Sequence, residues 1–318
     1  MNTSKSIVTN ILKEISSKKK YGFNLLPGEQ DTGYIKIGNK RFFFAYGTLN
    51  VNNEASSFIA GNKKLSSVLL QDAKIPTPKE LTPSEINDVA GIFSEKGTRF
   101  IIKPVTGTGG NNLFKVSNPL EFKKIVNLFT EKKIDFVVQE YIESREYRVV
   151  LFKGEILQFY ERIQSSIVGD GRRSIKDLIT DKQTEFESKN RNTQLNINDS
   201  QVQFILEREN LALTSVAGEK VRIPLSFGKN LSKGGTSIFV ENQNKVLDEI
   251  LRYVTSATGL DLVGLDLFIS KELDQVSSVN DLTVIEYNSS PDMENNFEIT
   301  SEYLLALENI YTLILERF

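Results

Sequence analysis

Lys103-Pro104-Val105-Thr106-Gly107-Thr108-Gly109-Gly110-Asn111-Asn112 follows the strand-like run Phe100 to Lys103 and sets three glycines within four positions. Glycine lets backbone amides approach a polyphosphate closely, and Lys103 adds a positive charge. An ordinary hairpin loop has the same outline, so its neighbours must decide. It is not a Walker A loop: no Lys-Ser or Lys-Thr follows Gly110, and Leu113 to Val116 reads as a strand pairing back rather than a helix.

Downstream, Leu120 to Phe129 has helical spacing, and Phe136 to Tyr141, Glu146 to Phe152 and Glu155 to Arg162 alternate like strands, the last two joined at Lys153-Gly154. Residues 170 to 240 are polar and mixed, an insertion with one or two helices and weak strands. Val246 to Thr258 reads as a helix ending at Gly259, Leu262 to Ile269 and Leu282 to Tyr287 as adjacent buried strands, and Glu302 to Leu315 as a closing helix.

Upstream, Asn62 to Asp72 is helical and stops before Pro76 and Pro78, while Thr82 with Glu85 forms a capping-box pattern opening a helix toward Phe93. Residues 3 to 19 suit an amphipathic helix, Tyr21 to Gly33 holds breakers, and Tyr34 to Ile37 and Arg41 to Tyr46 form two strands about Gly38-Asn39. The pattern predicts an α+β chain with a short N-terminal lobe at 1–60 and an insertion at about 170–240.

Composition narrows the chemistry. The chain has 318 residues and no Cys or His, which removes thiol nucleophiles, imidazole bases and nearly every zinc, copper or iron site. Carboxylates, Lys, Arg, backbone amides and oxygen-bound cations remain. With 39 basic and 41 acidic residues there is no overall field to hold nucleic acid. No apolar run is long enough to span a membrane, and Met1 to Lys20 lacks the pattern of a secretory signal, so a cytoplasmic address is expected.

Asp266 lies inside Val263-Gly264-Leu265-Asp266-Leu267-Phe268, and Glu286 and Asn288 lie inside Val284-Ile285-Glu286-Tyr287-Asn288. A carboxylate in an apolar strand is costly unless it is paired or bound to a cation. Glu286 and Asn288 share one strand face, and a neighbouring strand could bring Asp266 beside them, a set of oxygens suited to Mg²⁺ on phosphates. The competing arrangement is charges at strand ends beside Arg or Lys. Gln139-Glu140-Tyr141-Ile142-Glu143, at a strand end, offers backbone groups for an adenine edge and a carboxylate for ribose, although acidic strand ends are commonly just solvated. Arg145, Arg148, Arg162 and Arg222 are suited to clamp phosphate or carboxylate.

The order of these pieces resembles the ATP-grasp superfamily. Ser166-Ile167-Val168-Gly169-Asp170-Gly171-Arg172-Arg173-Ser174-Ile175-Lys176-Asp177-Leu178-Ile179 and Asn230-Leu231-Ser232-Lys233-Gly234-Gly235-Thr236 are similar to segments of cyanophycin synthetase and of the C-terminal half of bifunctional glutathione synthetases. The resemblance covers roughly residues 60 to 292. It implies an ATP-grasp fold whose two α+β lobes, a central one at 61–138 and a larger one at 139–318 that carries the insertion, clasp ATP, and a carboxylate-amine ligase working through an acyl phosphate on an amino acid or small peptide.

By the same resemblance, Lys63 and Lys103 would contact nucleotide phosphates beneath a mobile loop from Thr106 to Asn112, including Gly107, Gly109, Gly110 and Asn111. Glu140, Tyr141 and Ile142 would hold adenine, and Glu143 ribose. Arg162, Asn230 and Lys103 would act in catalysis. Asp266, Glu286 and Asn288 would carry Mg²⁺, as two ions, with Mn²⁺ an alternative. Arg145, Arg148, Arg222 and Ser290 are the substrate-side candidates.

The implied partners are small acids and amines or a peptide, with neither nucleic acid nor membrane, and self-association into a homo-oligomer stays open. The loop Ser289-Ser290-Pro291-Asp292-Met293-Glu294-Asn295-Asn296-Phe297 is acidic and departs from those relatives, so the substrates are the least transferable part. Two rivals stand beside this reading: an ATP-grasp enzyme that modifies a precursor peptide by side-chain ester or amide formation, and a non-catalytic ATP-binding regulator. A protein kinase fits less well, since no His-Arg-Asp or Asp-Phe-Gly occurs.

Overall fold

A computed structural model describes residues 6–94, 97–294 and 296–318. Thr3, Ser4 and Lys5 of the expected first helix, and Asn295 of the acidic loop, lie outside the described residues.

The first helix, Ile7–Lys19, is capped when the Ser6 side chain accepts from the Thr9 amide, and it closes on Lys20 in the left-handed region. Its buried face of Val8, Ile11, Leu12 and Ile15 packs with Phe42 and Phe44, and with Leu307, Tyr311 and Ile314 of the closing helix, Ser301–Glu316. The sheet beneath has four antiparallel strands, Gly22–Leu25, Thr32–Ile37, Lys40–Ala45 and Thr48–Leu49, where the sequence suggested two. The extra pair are short and sit beside the Pro27-Gly28 and Tyr46-Gly47 turns, whose breaker signal masked them.

The glycine-loop strand, Phe100–Pro104, is the centre of a three-stranded sheet between Phe114–Val116 and Phe136–Glu140. Helix Pro119–Glu131 covers it with Phe122, Ile125 and Phe129. The Thr82–Glu85 capping box is present, but the helix it opens breaks at Asp88 into Pro83–Asn87 and Val89–Ile92. Asp88 leaves helical geometry there and turns its carboxylate to accept from the Gly91 amide, so it caps a second helix instead of continuing the first.

The main sheet runs Thr236–Phe239, Glu155–Ile163, Arg145–Phe152, Leu262–Ile269, Leu282–Asn288, every neighbour antiparallel. Strand alternation divides its faces. Tyr147, Val149, Leu151, Val263, Leu265 and Leu267 point into a core with helices Lys63–Asp72 and Lys245–Thr258. Along the opposite face Val150, Phe152 and Leu262 join the N-terminal core. On that same face, farther along the strands, Asp266 lies opposite both Arg148 and Glu286, and Glu146 opposite Arg162. Buried apolar strands therefore carry a charged cluster at one end of one face.

The polar region resolves into helices Ile175–Ser188 and Ser200–Arg208 and the strand pair Ser166–Val168 with Arg222–Pro224, around a small core of its own. Its final strand, Thr236–Phe239, is the edge of the main sheet. Phe204, Ile205 and Phe227 pack into the three-stranded sheet's core. Among the described residues no helix is long and apolar enough to cross a membrane.

Candidate active site

Three cavities open between the three-stranded and five-stranded sheets, and shared lining residues join them in series. The first, about 100 Å³, is apolar on Ile101, Leu113, Tyr141, Phe227 and Ile285, with Gln139 and Glu140 at its edge. The second, about 70 Å³, lies under the glycine loop and gathers Lys63, Lys103, Lys229 and Arg162. The third, about 320 Å³, is polar and includes Arg148, Asn288, Ser290 and Asp292. Lys103, Glu146 and Lys229 line both the first and second. Thr108, Arg162, Asn230, Asp266 and Glu286 line both the second and third.

The charged cluster is tightly paired. Asp266 accepts from Arg148 at 2.7 Å and lies 3.0 Å from Arg162, with all three side chains under a tenth exposed. Burial alone would raise the Asp266 pKa, but the two guanidiniums hold it below the ordinary carboxylate range. Arg162 also reaches Glu146 at 3.3 Å. Burial works against its charge, yet Asp266 and its other anionic neighbours keep its pKa raised. For Glu146, burial outweighs Arg162 and pushes the carboxyl upward.

Gly264 makes room for this pairing, because a Cβ there would sit 2.4 Å from the Arg148 guanidinium. Lys103 is buried, which lowers its pKa against the pull of Glu286. A phosphate beside it would restore the charged form.

The glycine loop is docked. Lys63 donates to the Gly107 carbonyl at 2.9 Å, Gln201 to that of Gly110 at 2.8 Å, and Ser232 to that of Gly109 at 3.3 Å. Gly110, at φ +69°, lies where a Cβ would meet the Asn230 side chain at 2.4 Å, so a side chain there would force the loop off the site. Tyr141 lies between Arg99 and Lys115, whose charged groups stand 4.8 and 3.8 Å from its ring centre.

The oxygen donors are of the kind a hard divalent cation takes, with both Asp266 oxygens also held by arginine, Oδ1 by Arg148 and Oδ2 by Arg162. Among the described residues no three His, Cys, Asp or Glu side chains gather as a metal site. The set is two carboxylates facing each other across a strand pair, Asp266 and Glu286, with the Asn288 amide beside them on the polar cavity. Mg²⁺ is commonly bound by one or two carboxylates plus phosphate oxygens. Glu286 is left available, its cation contact being Lys63 at 3.7 Å.

Of the residues singled out in the sequence, Lys63, Lys103, Thr106, Gly107, Gly110, Asn111, Arg162, Asn230, Asp266 and Glu286 meet at the second cavity. Glu140, Tyr141 and Ile142 line the first, and Gly109, Arg148, Asn288 and Ser290 the third. Three others are not brought there. Arg145 points to the opposite sheet face from Arg148, bonding Glu161 at 2.6 Å and Glu272 at 3.2 Å. Arg222 donates to Ser166 in the outlying strand pair. Glu143 is exposed and bonds Arg99 at 2.7 Å. Sequence reasoning passed over Glu146 and Lys229. Glu146 was within reach, because it sits two residues before Arg148 on an alternating strand.

Residues 64–203 match the family model for the prokaryotic glutathione synthetase ATP-grasp domain. The crystal structure of a bifunctional glutathione synthetase from Pasteurella multocida superposes over 96% of this chain and 44% of its own, with a TM-score of 0.56 at 21% identity. The fold is ATP-grasp. Among curated proteins, the chain is 28% identical to cyanophycin synthetase of Synechocystis sp. over 248 residues, 73% of this chain and 28% of the relative. It is 26% identical to the glutathione biosynthesis bifunctional protein GshAB of Streptococcus agalactiae over 267 residues, 81% of this chain and 34% of the relative. The chain thus spans about a third of the length of the curated relatives it matches. In ATP-grasp terms the glycine loop lies between the small sheet and the large one, and the charged end of the large sheet faces it.

Proposed function

We propose that this chain is an ADP-forming ligase that activates a carboxylate with ATP as an acyl phosphate and joins it to an amine, in the cytoplasm. The observation that carries this reading is the wall shared by the second and third cavities. Arg162, Asn230, Asp266 and Glu286 face the cationic pocket on one side and the polar pocket on the other. A phosphoryl group passing from one pocket to the other would travel along that wall.

The apolar cavity takes the base of ATP, with Glu140 and Ile142 at the strand end supplying backbone groups. Lys63, Lys103 and the glycine-loop amides take the phosphates. A carboxylate oxygen of the acid substrate attacks the γ-phosphorus as the bond to the β-phosphate oxygen breaks, releasing ADP. The amine then attacks the acyl carbon, its C–O bond to phosphate breaks, phosphate leaves and the amine loses a proton. Arg162, backed by Asp266, offers a fixed positive charge to both transfers, and its buried pairing removes the cost of reorienting it. The docked loop would keep water from the acyl phosphate. Asp266, Glu286 and Asn288 would hold Mg²⁺ or Mn²⁺, which when bound neutralises phosphate charge. The substrates are amino acids or small peptides.

ADP release is to be screened with pooled amino acids, dipeptides and polyamines, reading product mass directly. A product equal to an acid plus an amine less one water is expected. Tight ATP binding with no release in any pool, peptide pools included, would favour the non-catalytic regulator.

A further inference from the structure

A separate groove of about 720 Å³ lies at the edge of the main sheet just past the end of strand Thr236–Phe239, between Ile156 to Phe159 of strand Glu155–Ile163 and helix Ser301–Glu316. Its floor is apolar, on Ile156, Phe159, Phe239, Val240, Ala306 and Ile310. Every charged side chain lining it is a carboxylate: Asp248, Glu298 and Glu302. One of these, Glu298, is paired with Lys189 at 2.8 Å, so the groove keeps the charge of the other two.

Strand Thr236–Phe239 covers only Tyr160 to Ile163 of its neighbour, so Ile156 to Gln158, which line the groove, are paired on one side alone and form the sheet edge there, with Phe239 51% exposed at the groove's end. Proteins usually protect such an edge with charge, proline or cover. Here Ile156, Leu157 and Gln158 carry no charge.

An aromatic partition separates this groove from the polar reaction cavity. Tyr160 and Phe297 line the cavity, whereas Phe239 and Tyr303 line the groove. Their rings touch across it: Tyr160 to Phe239 is 5.5 Å, Tyr160 to Phe297 5.3 Å and Phe297 to Tyr303 5.1 Å between centres. The partition is two rings thick, with Phe239 and Tyr303 on the groove side packed against Tyr160 and Phe297 on the cavity side.

We infer that one of the two joined partners is an extended peptide segment that docks in this groove, adding a strand to the uncovered edge at Ile156 to Gln158, with apolar side chains on the floor and Lys or Arg side chains against the carboxylates. The inference rests on the ligase reading and narrows its substrate class from a free amino acid to a peptide. The edge strand supplies the backbone partner, and the floor and rim supply selectivity for alternating apolar and cationic residues. Phe239 and Tyr303 belong to both the groove and the partition, so occupation of the groove bears directly on the wall of the reaction cavity.

The test uses the full chain and three short fluorescent peptides, alternating Val with Lys, Val with Glu and Ser with Lys, with binding read by anisotropy. The Val–Lys peptide is expected to bind at least about tenfold more tightly than either other, and Phe239→Asp to remove that preference. Since Phe239→Asp also disturbs the aromatic cluster, Glu302→Lys, a charge reversal at an exposed position, is the second variant and should weaken the Val–Lys peptide alone. Equal affinity for all three peptides, or full affinity in both variants, overturns the inference. A labelled ATP analogue is titrated in parallel. Loss of nucleotide binding with peptide binding intact would count against the ligase reading, whereas nucleotide binding and amino-acid-stimulated ADP release without peptide selectivity would count against the groove.

Discussion

Glu294 is a carboxylic acid set into the core beneath the polar cavity, where the Met293 amide and the Tyr311 hydroxyl each donate to its Oε2 at 3.1 Å. Burial, reinforced by the charge of Asp292, pushes its pKa up to about 8. The fold therefore prefers the protonated form, and the stability it contributes is full below the ordinary carboxylate pKa and is lost as pH rises toward 8. At about 1.4 kcal/mol per pH unit the loss amounts to a few kcal/mol. Urea unfolding at pH 5.5 and 8.5, as rough bounds of that window, should show it, and Glu294→Gln should flatten it. Asp266 behaves oppositely. Its pKa is depressed, so its contribution is present above the ordinary carboxylate range and disappears as pH falls. Asp266→Asn leaves two buried guanidiniums short of a countercharge, with an expected loss of about 3–5 kcal/mol together with ADP release. Glu286→Gln should retain stability, since Lys63 at 3.7 Å is its cation contact, while ADP release falls. Undiminished release in Glu286→Gln would sink the assignment of the cation site.

The turn from Asn230 to Gly235 shows how an element outside the main sheet fixes the site. Arg191, buried and stacked over Phe186, donates to the Leu231 carbonyl at 2.7 Å and the Gly235 carbonyl at 2.6 Å. Burial lowers its pKa to about 10, so it remains charged at neutral pH. The nearby Thr193 hydroxyl lies 3.2 Å from the Leu231 carbonyl and 3.1 Å from the Asn296 amide oxygen, tying this turn to the acidic loop. Arg191 acts through Asn230 and Ser232, so a displacement of about 1 Å costs on the order of 100-fold in rate. Arg191→Ala should lose activity to that extent with nucleotide affinity retained, and added guanidinium ion should restore part of it. Failure of guanidinium to rescue a folded variant would reduce Arg191 to a packing role. No local signal announced this residue: a lone Arg in a polar stretch reads as surface, and only the chain's return forty residues later supplies its carbonyl partners. By contrast, the glycine loop, the Thr82–Glu85 cap and the Asp266 and Glu286 strands were legible because each carries its cause locally, in turn chemistry, capping or alternation. Arg145 was misplaced because proximity along a strand is not a shared face; position 145 and position 148 differ by an odd number.

At the scale of the molecule, separate cores support separate cavities. The alternation that made the main strands readable says only that one face is buried, not that this face is divided between a hydrophobic half and a charged half. That division comes from the N-terminal region, whose first helix and four-stranded sheet cover Val150, Phe152 and Leu262 and take in Met293 of the acidic loop. The phenylalanine-rich core of Phe100, Phe114, Phe122 and Phe129 backs the apolar cavity instead, since it includes Phe227 of that cavity's wall. Leu12 and Phe122 are both buried to about 1% exposure or less, so truncating either should destabilise the chain by about 2–5 kcal/mol. Their functional effects should part. Leu12→Ala loosens the support of the acidic loop and should raise the KM for the joined substrates while nucleotide affinity holds. Phe122→Ala loosens the glycine-loop sheet and should weaken nucleotide binding first. Anisotropy of a labelled ATP analogue, set beside steady-state ADP release below the unfolding temperature of each variant, separates the two. Equal changes in both parameters for both variants would mean that the cores move as one unit and that the division of labour between the cavities is wrong.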